Sequence, residues 1–241
     1  MISIILHNLK TSHLIPIKLL RLIRHLYYKK KYDYSIFEKK QNEIFDTEKL
    51  NRQSGLIKLN KIKKQFNFFN RMMSSEYEII FSSISINKKI NNILEIGTFN
   101  GVNAFLLSQI FSEAKIITID LKKDSDEYKN SYKRKDKINE FIKQRDIVLG
   151  KSKNIFFKEL NSLNLINQQN KYDLIFIDGN HSNPVVTIDI INSLNLINQN
   201  GIILCDDIWL KDPEKKIDML DSKDSYDTLK ALQNEKIINL T

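Results

Sequence analysis

From Ile93 onward, short apolar runs alternate with stretches of helical spacing. Ile93–Ile96, Lys115–Ile119, Ile155–Phe157, Asp173–Ile177 and Ile202–Cys205 are each too short for a helix and are bounded by polar or glycine positions. Runs of this kind, separated by helix-length segments, predict buried parallel strands. Between them Val102–Phe111, Asp136–Val148 and Val185–Ile197 carry helical periodicity, the last with Pro184 in its first turn. Residues 121–134 are dense in charge and read as a loop, and Asn200-Gly201 reads as a turn. Right-handed crossovers wind such an order into one sheet with helices on both faces. The expected class is therefore α/β, with a doubly wound, mostly parallel sheet.

Ahead of Ile93 the pattern is helical. Pro16 opens a stretch in which Ile17, Leu19, Leu20, Ile23, Leu26 and Tyr27 are interleaved with Lys18, Arg21, Arg24 and Lys29–Lys31. Residues 14–31 thus form a basic amphipathic segment. Two readings stand side by side: peripheral contact with an anionic membrane or charged glycolipid, or a helix packed on the domain or on a partner subunit. The second is favoured, because most amphipathic helices are simply half buried. Residues 35–92 read as mainly helical, with Gly55 as a break and Tyr77–Ile86 as a helix capped by Ser74 or Ser75. The division expected is a basic, mainly helical extension, 1–70, followed by a sheet domain, 71–241. Asn161–Gln168 and Asn192–Gln199 share one octapeptide, but their flanks differ and no internal repeat is inferred.

Composition then narrows the function. The net charge of +9 suggests nucleic acid until it is mapped. Residues 1–70 hold 15 Lys/Arg against 5 Asp/Glu, whereas the remainder holds 23 against 24. The sheet domain is close to neutral, so no nucleic-acid partner is expected for it. A single cysteine, Cys205, excludes a disulfide framework and a cysteine-based zinc site. Leu14–Ile23 is too short and too charged to span a bilayer, and no signal peptide is evident, so a cytoplasmic location is expected.

Chemistry concentrates at the strand ends. Glu95, Asp120, Asp178 and Asp206-Asp207 all fall at or just past the ends of expected strands. In a parallel sheet those ends share one edge, so the acids converge on one crevice. Gly97 and Gly101 frame a turn between strand and helix, with backbone N–H groups at the helix start left to meet a ligand. Asp120, 19 residues after Gly101, suits the two hydroxyls of a ribose. The turn runs Glu-x-Gly-x-x-x-Gly, with Phe99 where a dinucleotide fold prefers a glycine. A ligand without a pyrophosphate fits better, and Glu95 suits an ammonium group.

Ile-Leu-Glu-Ile-Gly-Thr-Phe-Asn-Gly (93–101), Asp120, Phe-Ile-Asp-Gly-Asn-His (176–181) and Ile-Leu-Cys-Asp-Asp (203–207) resemble the class I S-adenosylmethionine-dependent methyltransferases. The likeness is strongest to the metal-dependent small-molecule and sugar O-methyltransferases, and it covers about residues 72–210. It implies a Rossmann-like methyltransferase fold with S-adenosylmethionine and Mg²⁺ as cofactors and a small-molecule or glycan hydroxyl as acceptor. It implies that Glu95 holds the methionine ammonium and that Gly97, Thr98 and Gly101 line the methionine and ribose. Asp120 would bind the ribose, and Asn161 and Ser162 would lie by the adenine. Asp178, Asp206 and Asp207 fall at the metal-ligand positions, with Asp178 also near the cofactor and His181 at the position of a catalytic base. Enzymes of this fold close the sheet with an antiparallel hairpin. Here about 34 residues follow Asp207, with Ser225–Asn234 as a helix and Lys236–Leu240 as the start of a strand, so a shortened C-terminus is expected. Alternatives are an NAD(P)-dependent oxidoreductase and a non-catalytic, truncated methyltransferase-like protein. The sequence leaves the acceptor and any homo-oligomer open.

Overall fold

The computed structural model describes residues 34–66, 76–131, 134, 137–208 and 223–240. The basic segment 14–31, Ser74 and Ser75 lie outside them. The chain forms two compact units, Met1–Lys49 and Leu50–Thr241. Among the described residues the first unit contains helix α1 (Tyr34–Thr47). The second contains α2 (Arg52–Gln65), α3 (Tyr77–Asn87), β1 (Asn92–Ile96), α4 (Val102–Ile110) and β2 (Lys115–Asp120). It continues with α5 (Asp126–Asn130), α6 (Ile138–Leu149), β3 (Ile155–Glu159), a 3₁₀ turn (Ser162–Asn167), β4 (Tyr172–Ile177), α7 (Val185–Leu196), β5 (Ile197–Cys205) and α8 (Lys223–Asn234). Residues 50–65 therefore fall in the same unit as the sheet, although the sequence suggested an extension running to residue 70.

The strands run in the order β3-β2-β1-β4-β5, and every pairing is parallel. This is the doubly wound sheet expected from the alternating pattern. Successive side chains point to opposite faces, so each strand feeds two cores. Ile93, Ile116, Leu174 and Phe176 join one core with Phe81, Leu106, Leu107 and Ile110. Leu94, Ile96, Ile117, Ile119, Ile175 and Ile177 join the other with Leu165, Val186 and Ile190. Both faces are covered, which explains why the strands read as unbroken apolar runs.

Several local expectations are corrected. Gly55 is not a break: it is buried inside α2, where a Cβ would come 2.0 Å from Ser83 Oγ and 2.9 Å from the Ile79 carbonyl oxygen. The missing side chain lets α2 lie directly against α3. The charged stretch after β2 is not wholly loop. Ser125 Oγ accepts the Tyr128 N–H at 3.2 Å and caps α5, and the fully buried Tyr128 anchors it. Asn200-Gly201 lies within β5, in a bulged stretch where Tyr172 pairs with Ile197 while Leu174 pairs with Ile202. Lys236–Leu240 is not a strand. Lys236 takes a left-handed φ of 58°, and the Ile237 N–H reaches back 2.9 Å to the Leu232 carbonyl, closing α8. Ile238 and Leu240 then pack against the second core. The shared octapeptide is a 3₁₀ turn at its first occurrence and a helix end running into a strand at its second, so tertiary context decides over propensity.

The α2–α3 contact gives a direct test. Gly55→Ala forces a methyl group into space already filled, and should cost roughly 1–3 kcal/mol of stability. Urea denaturation measures it; an unchanged midpoint would mean the two helices separate without penalty.

Candidate functional site

The sheet's hydrogen bonding continues one residue past the strand ends. Asp178 N–H donates to the Ile96 carbonyl at 2.9 Å, Asp206 N–H to Ile177 at 2.9 Å, and Leu160 N–H to Asp120 at 2.8 Å. The N–H groups of Gly97 and Thr98 both donate to the Ile119 carbonyl, at 3.0 and 3.1 Å. These bonds hold the strand-end acids along one edge. Gly97, at φ +105°, sits so close to β4 that a Cβ would lie 2.0 Å from the Asp178 carbonyl oxygen. Gly101, at φ +76°, caps α4, and a Cβ there would meet Leu149 Cδ2 of α6 at 2.8 Å. The turn therefore needs glycine at both positions, as its spacing suggested.

The expectation of free N–H groups in this turn is corrected. Besides Gly97 and Thr98, Phe99 N–H donates to Asp120 Oδ2 at 3.0 Å, Gly101 N–H to the Thr98 carbonyl at 2.9 Å, and Val102 N–H to Asn100 Oδ1 at 3.1 Å. The turn folds back on β2 and satisfies itself. What it offers a ligand is shape and the acids it presents.

Glu95 is fully buried. Thr118 Oγ1 donates to Glu95 Oε2 at 2.5 Å, and Asn103 Nδ2 to Glu95 Oε1 at 2.7 Å. Thr98 Oγ1 lies 2.6 Å from Thr118 Oγ1, extending the chain of bonds. Burial pushes the Glu95 carboxyl up to about 8, against those two hydrogen bonds and helped by the charges of Asp178 and Asp120. Thr98 is likewise buried, with its hydroxyl turned to Thr118.

Asp120 lies at the end of β2 as expected, in an ion pair with a residue the sequence did not single out. Arg134 Nη2 is 2.8 Å from Asp120 Oδ2, and the two side chains are 7% and 9% exposed. Leu121 N–H donates to Asp120 Oδ1 at 2.8 Å. Phe99, whose φ is 48°, sets its ring 5.2 Å from that of Phe141.

Past β4 and β5, three expected residues meet. His181 Nε2 is 3.6 Å from Asp178 Oδ1 and 3.6 Å from Asp207 Oδ2. Burial pulls the imidazole pKa down, but the carboxylates of Asp178, Asp207 and Asp206 outweigh it and the net shift is upward. Asp207 holds a left-handed φ of 52°, a conformation aspartate tolerates better than most residues. Burial, then Asp178 and Asp207, push the Asp206 carboxyl up to about 6. As they stand, no three His, Cys, Asp or Glu side chains among the described residues are arranged to hold a metal ion. Asn161 Oδ1 accepts the Leu163 N–H at 3.0 Å, so its side chain caps the 3₁₀ turn. The carbonyl of Ser162 accepts Asn192 Nδ2 at 3.2 Å, tying the turn to α7.

Sequence reasoning missed Thr118, Asn103, Arg134 and Asp189. Asp189 is fully buried on α7, 3.6 Å from where a Cβ on Gly179 would stand. Burial pushes its carboxyl up to about 6, against Ser162 and His181, which lower it. Asp189 is the one charged residue on a buried helix face that also holds Val186, Ile190, Asn192, Ser193 and Leu196, and that charge was the one available signal. Arg134, in a run of lysines and aspartates, carried none.

The raised Glu95 pKa has a consequence for stability. Its folded value of about 8 exceeds the ordinary 4.5. An unfolded chain therefore loses this proton first, and Glu95 destabilises the fold progressively as pH rises from about 4.5 to about 8. Glu95→Gln should flatten that part of the profile. Thermal melts of both proteins from pH 5 to pH 8 test it, and parallel profiles would show that Glu95 ionises as readily folded as unfolded.

A family of methyltransferase domains matches residues 94–208. Among solved structures, a Podospora anserina methyltransferase bound to S-adenosylhomocysteine aligns with 87% of this chain and 91% of its own, at 17% identity and a TM-score of 0.53. An O-methyltransferase of tomaymycin synthesis from Streptomyces achromogenes, in complex with S-adenosylmethionine, aligns with 80% and 81%, at 15% identity and a TM-score of 0.47. No protein of curated function matches the sequence. The matched domain spans the glycine turn and every strand-end acid, and the first of these structures shares the fold. Residues 94–208 match a methyltransferase domain, and the chain has the Rossmann-like fold of the class I methyltransferases.

Proposed function

We propose that the chain transfers a methyl group from S-adenosylmethionine to a hydroxyl oxygen of a small molecule or glycan. The observation that carries this reading is His181 held between Asp178 and Asp207 at the sheet edge, in the segments that follow β4 and β5, with β4 directly beside the strand that ends in the glycine turn. The oxidoreductase alternative falls with the methyltransferase domain.

S-adenosylmethionine supplies an electrophilic methyl carbon on a sulfonium. The chain's part begins with the turn at Gly97 and Gly101, which leaves room beside the strand ends, and with Asp120, whose carboxylate suits the ribose hydroxyls. A neutral hydroxyl is a weak nucleophile. In its neutral form the imidazole of His181 takes the proton from the acceptor oxygen as that oxygen bonds to the methyl carbon and the carbon–sulfur bond breaks. Asp178 and Asp207 orient the ring and stabilise the imidazolium that results.

The carboxylates also suit a hard divalent cation in charge. Crowding with Asp178 and Asp207 helps raise the Asp206 carboxyl, and a cation among them would relieve that repulsion. Asp178, Asp206 and Asp207 would have to draw together from their present arrangement to hold Mg²⁺, which when bound lowers the pKa of a coordinated hydroxyl.

Calorimetric titration with S-adenosylhomocysteine, followed by turnover on a panel of hydroxyl acceptors, tests the reading. His181→Ala should lower turnover by about 10²–10⁴-fold and leave the affinity for S-adenosylhomocysteine unchanged. Binding without turnover of any acceptor would favour the non-catalytic alternative. EDTA should abolish turnover and spare cofactor binding; full activity in EDTA would remove Mg²⁺ from the reaction.

A further inference from the structure

The carboxylate that suits the ribose is already bonded on every side. Asp120 Oδ2 accepts the Phe99 N–H at 3.0 Å and Arg134 Nη2 at 2.8 Å. Oδ1 accepts the Leu121 N–H at 2.8 Å and, more weakly, Arg134 Nη1 at 3.4 Å. An ionised carboxylate has about four lone-pair sites, so nothing is left for a pair of hydroxyls. The two backbone donors are fixed by the turn and the strand end. The two sites a ribose could take are those the guanidinium holds.

Arg134 is well housed but not fully satisfied. Its guanidinium carbon lies 4.0 Å from the Tyr128 ring centroid, 5.1 Å from that of Phe141 and 5.7 Å from that of Phe99. Its Nε is buried with no hydrogen-bond partner. A buried ion pair built for stability needs its remaining donors bonded. Here one donor is orphaned, while the fork of the other two nitrogens presents a flat, two-point group to Asp120, as two adjacent hydroxyls would.

We infer that Arg134 is an internal occupant of the nucleoside site, and that S-adenosylmethionine binds only when the guanidinium releases Asp120. This rests on the proposed role of Asp120 in holding the ribose. The apparent affinity for the cofactor is then the intrinsic one reduced by the fraction of molecules in which Arg134 has let go. Arg134→Met keeps an apolar stem among the three rings and removes the fork. Arg134→Lys keeps the charge but replaces the two-point contact with a single one.

Calorimetry and stopped-flow binding of S-adenosylhomocysteine to wild type and both variants decide the matter, with circular dichroism to establish that each is folded. Arg134→Met should bind about tenfold tighter, through faster association, and Arg134→Lys should fall between it and wild type. If Arg134→Met does not fold, tighter binding by Arg134→Lys carries the same conclusion. Equal or weaker binding by the folded variants, with wild type binding normally, would overturn the inference and make Arg134 a support for Asp120. Absence of binding by folded wild type and folded variants alike would overturn the cofactor reading, and this inference with it.

Discussion

The approach of β1 to β4 at Gly97 is the constraint from which the site follows. A Cβ at this position would sit 2.0 Å from the Asp178 carbonyl oxygen, so the two strand ends can close only around a glycine. Their closure lets the Asp178 N–H reach Ile96 and extends the parallel ladder beyond the regular strands. Once that ladder is extended, Glu95, Asp120, Asp178 and Asp206 lie along one edge. The backbone conformation of a single residue therefore permits the close approach of the β1 and β4 ends, and with it the position of Asp178 beside the glycine turn.

Below that edge runs a buried polar chain, Thr98 to Thr118 to Glu95 to Asn103, linking the turn, β2, β1 and α4. Both Glu95 oxygens accept a hydrogen bond from a neighbouring element, so each of these elements is registered against the others by directional contacts. Apolar packing alone is less discriminating about position. The cost is a carboxyl kept from water, and its upward-shifted pKa is the record of that cost.

How much of this could be read from sequence depends on whether a feature is local or is created by folding. The strands, their parallel doubly wound class and the glycine turn at Gly97 and Gly101 were legible, because apolar runs, helical spacing and turn chemistry are local signals. The placement of the acids at the carboxyl ends of the strands was legible too, since a parallel sheet puts every carboxyl end on one side, but the burial of Glu95 beneath that edge was not. Gly55 was misread as a break because propensity speaks of backbone freedom, whereas its role is a close helix contact with Ser83 that no local pattern announces. Lys236–Leu240 carries the β-branched pair Ile237-Ile238 that suits a strand, but the left-handed Lys236 turns the chain back and Ile238 and Leu240 pack on the second core. Arg134 was invisible for a different reason: a lone arginine in a charged stretch is ordinarily a solvated one, and its burial depends on an aromatic pocket assembled from α5, α6 and the turn.

An edge with this many carboxylates cannot carry them all as unpaired charges, because each raises the energy of the next. The structure discharges them in distinct ways. Asp120 is paired with Arg134, Glu95 retains its proton to about 8, Asp178 and Asp207 share His181, and Asp206 is pushed up to about 6. What remains is an edge of modest negative potential that a cation would strengthen by drawing protons off the raised groups. The proposed methyl donor is such a cation at its sulfonium, and it becomes a neutral thioether when the methyl group leaves. The acids therefore attract the donor more than the product, and the field that helps load the site weakens as soon as the reaction is complete.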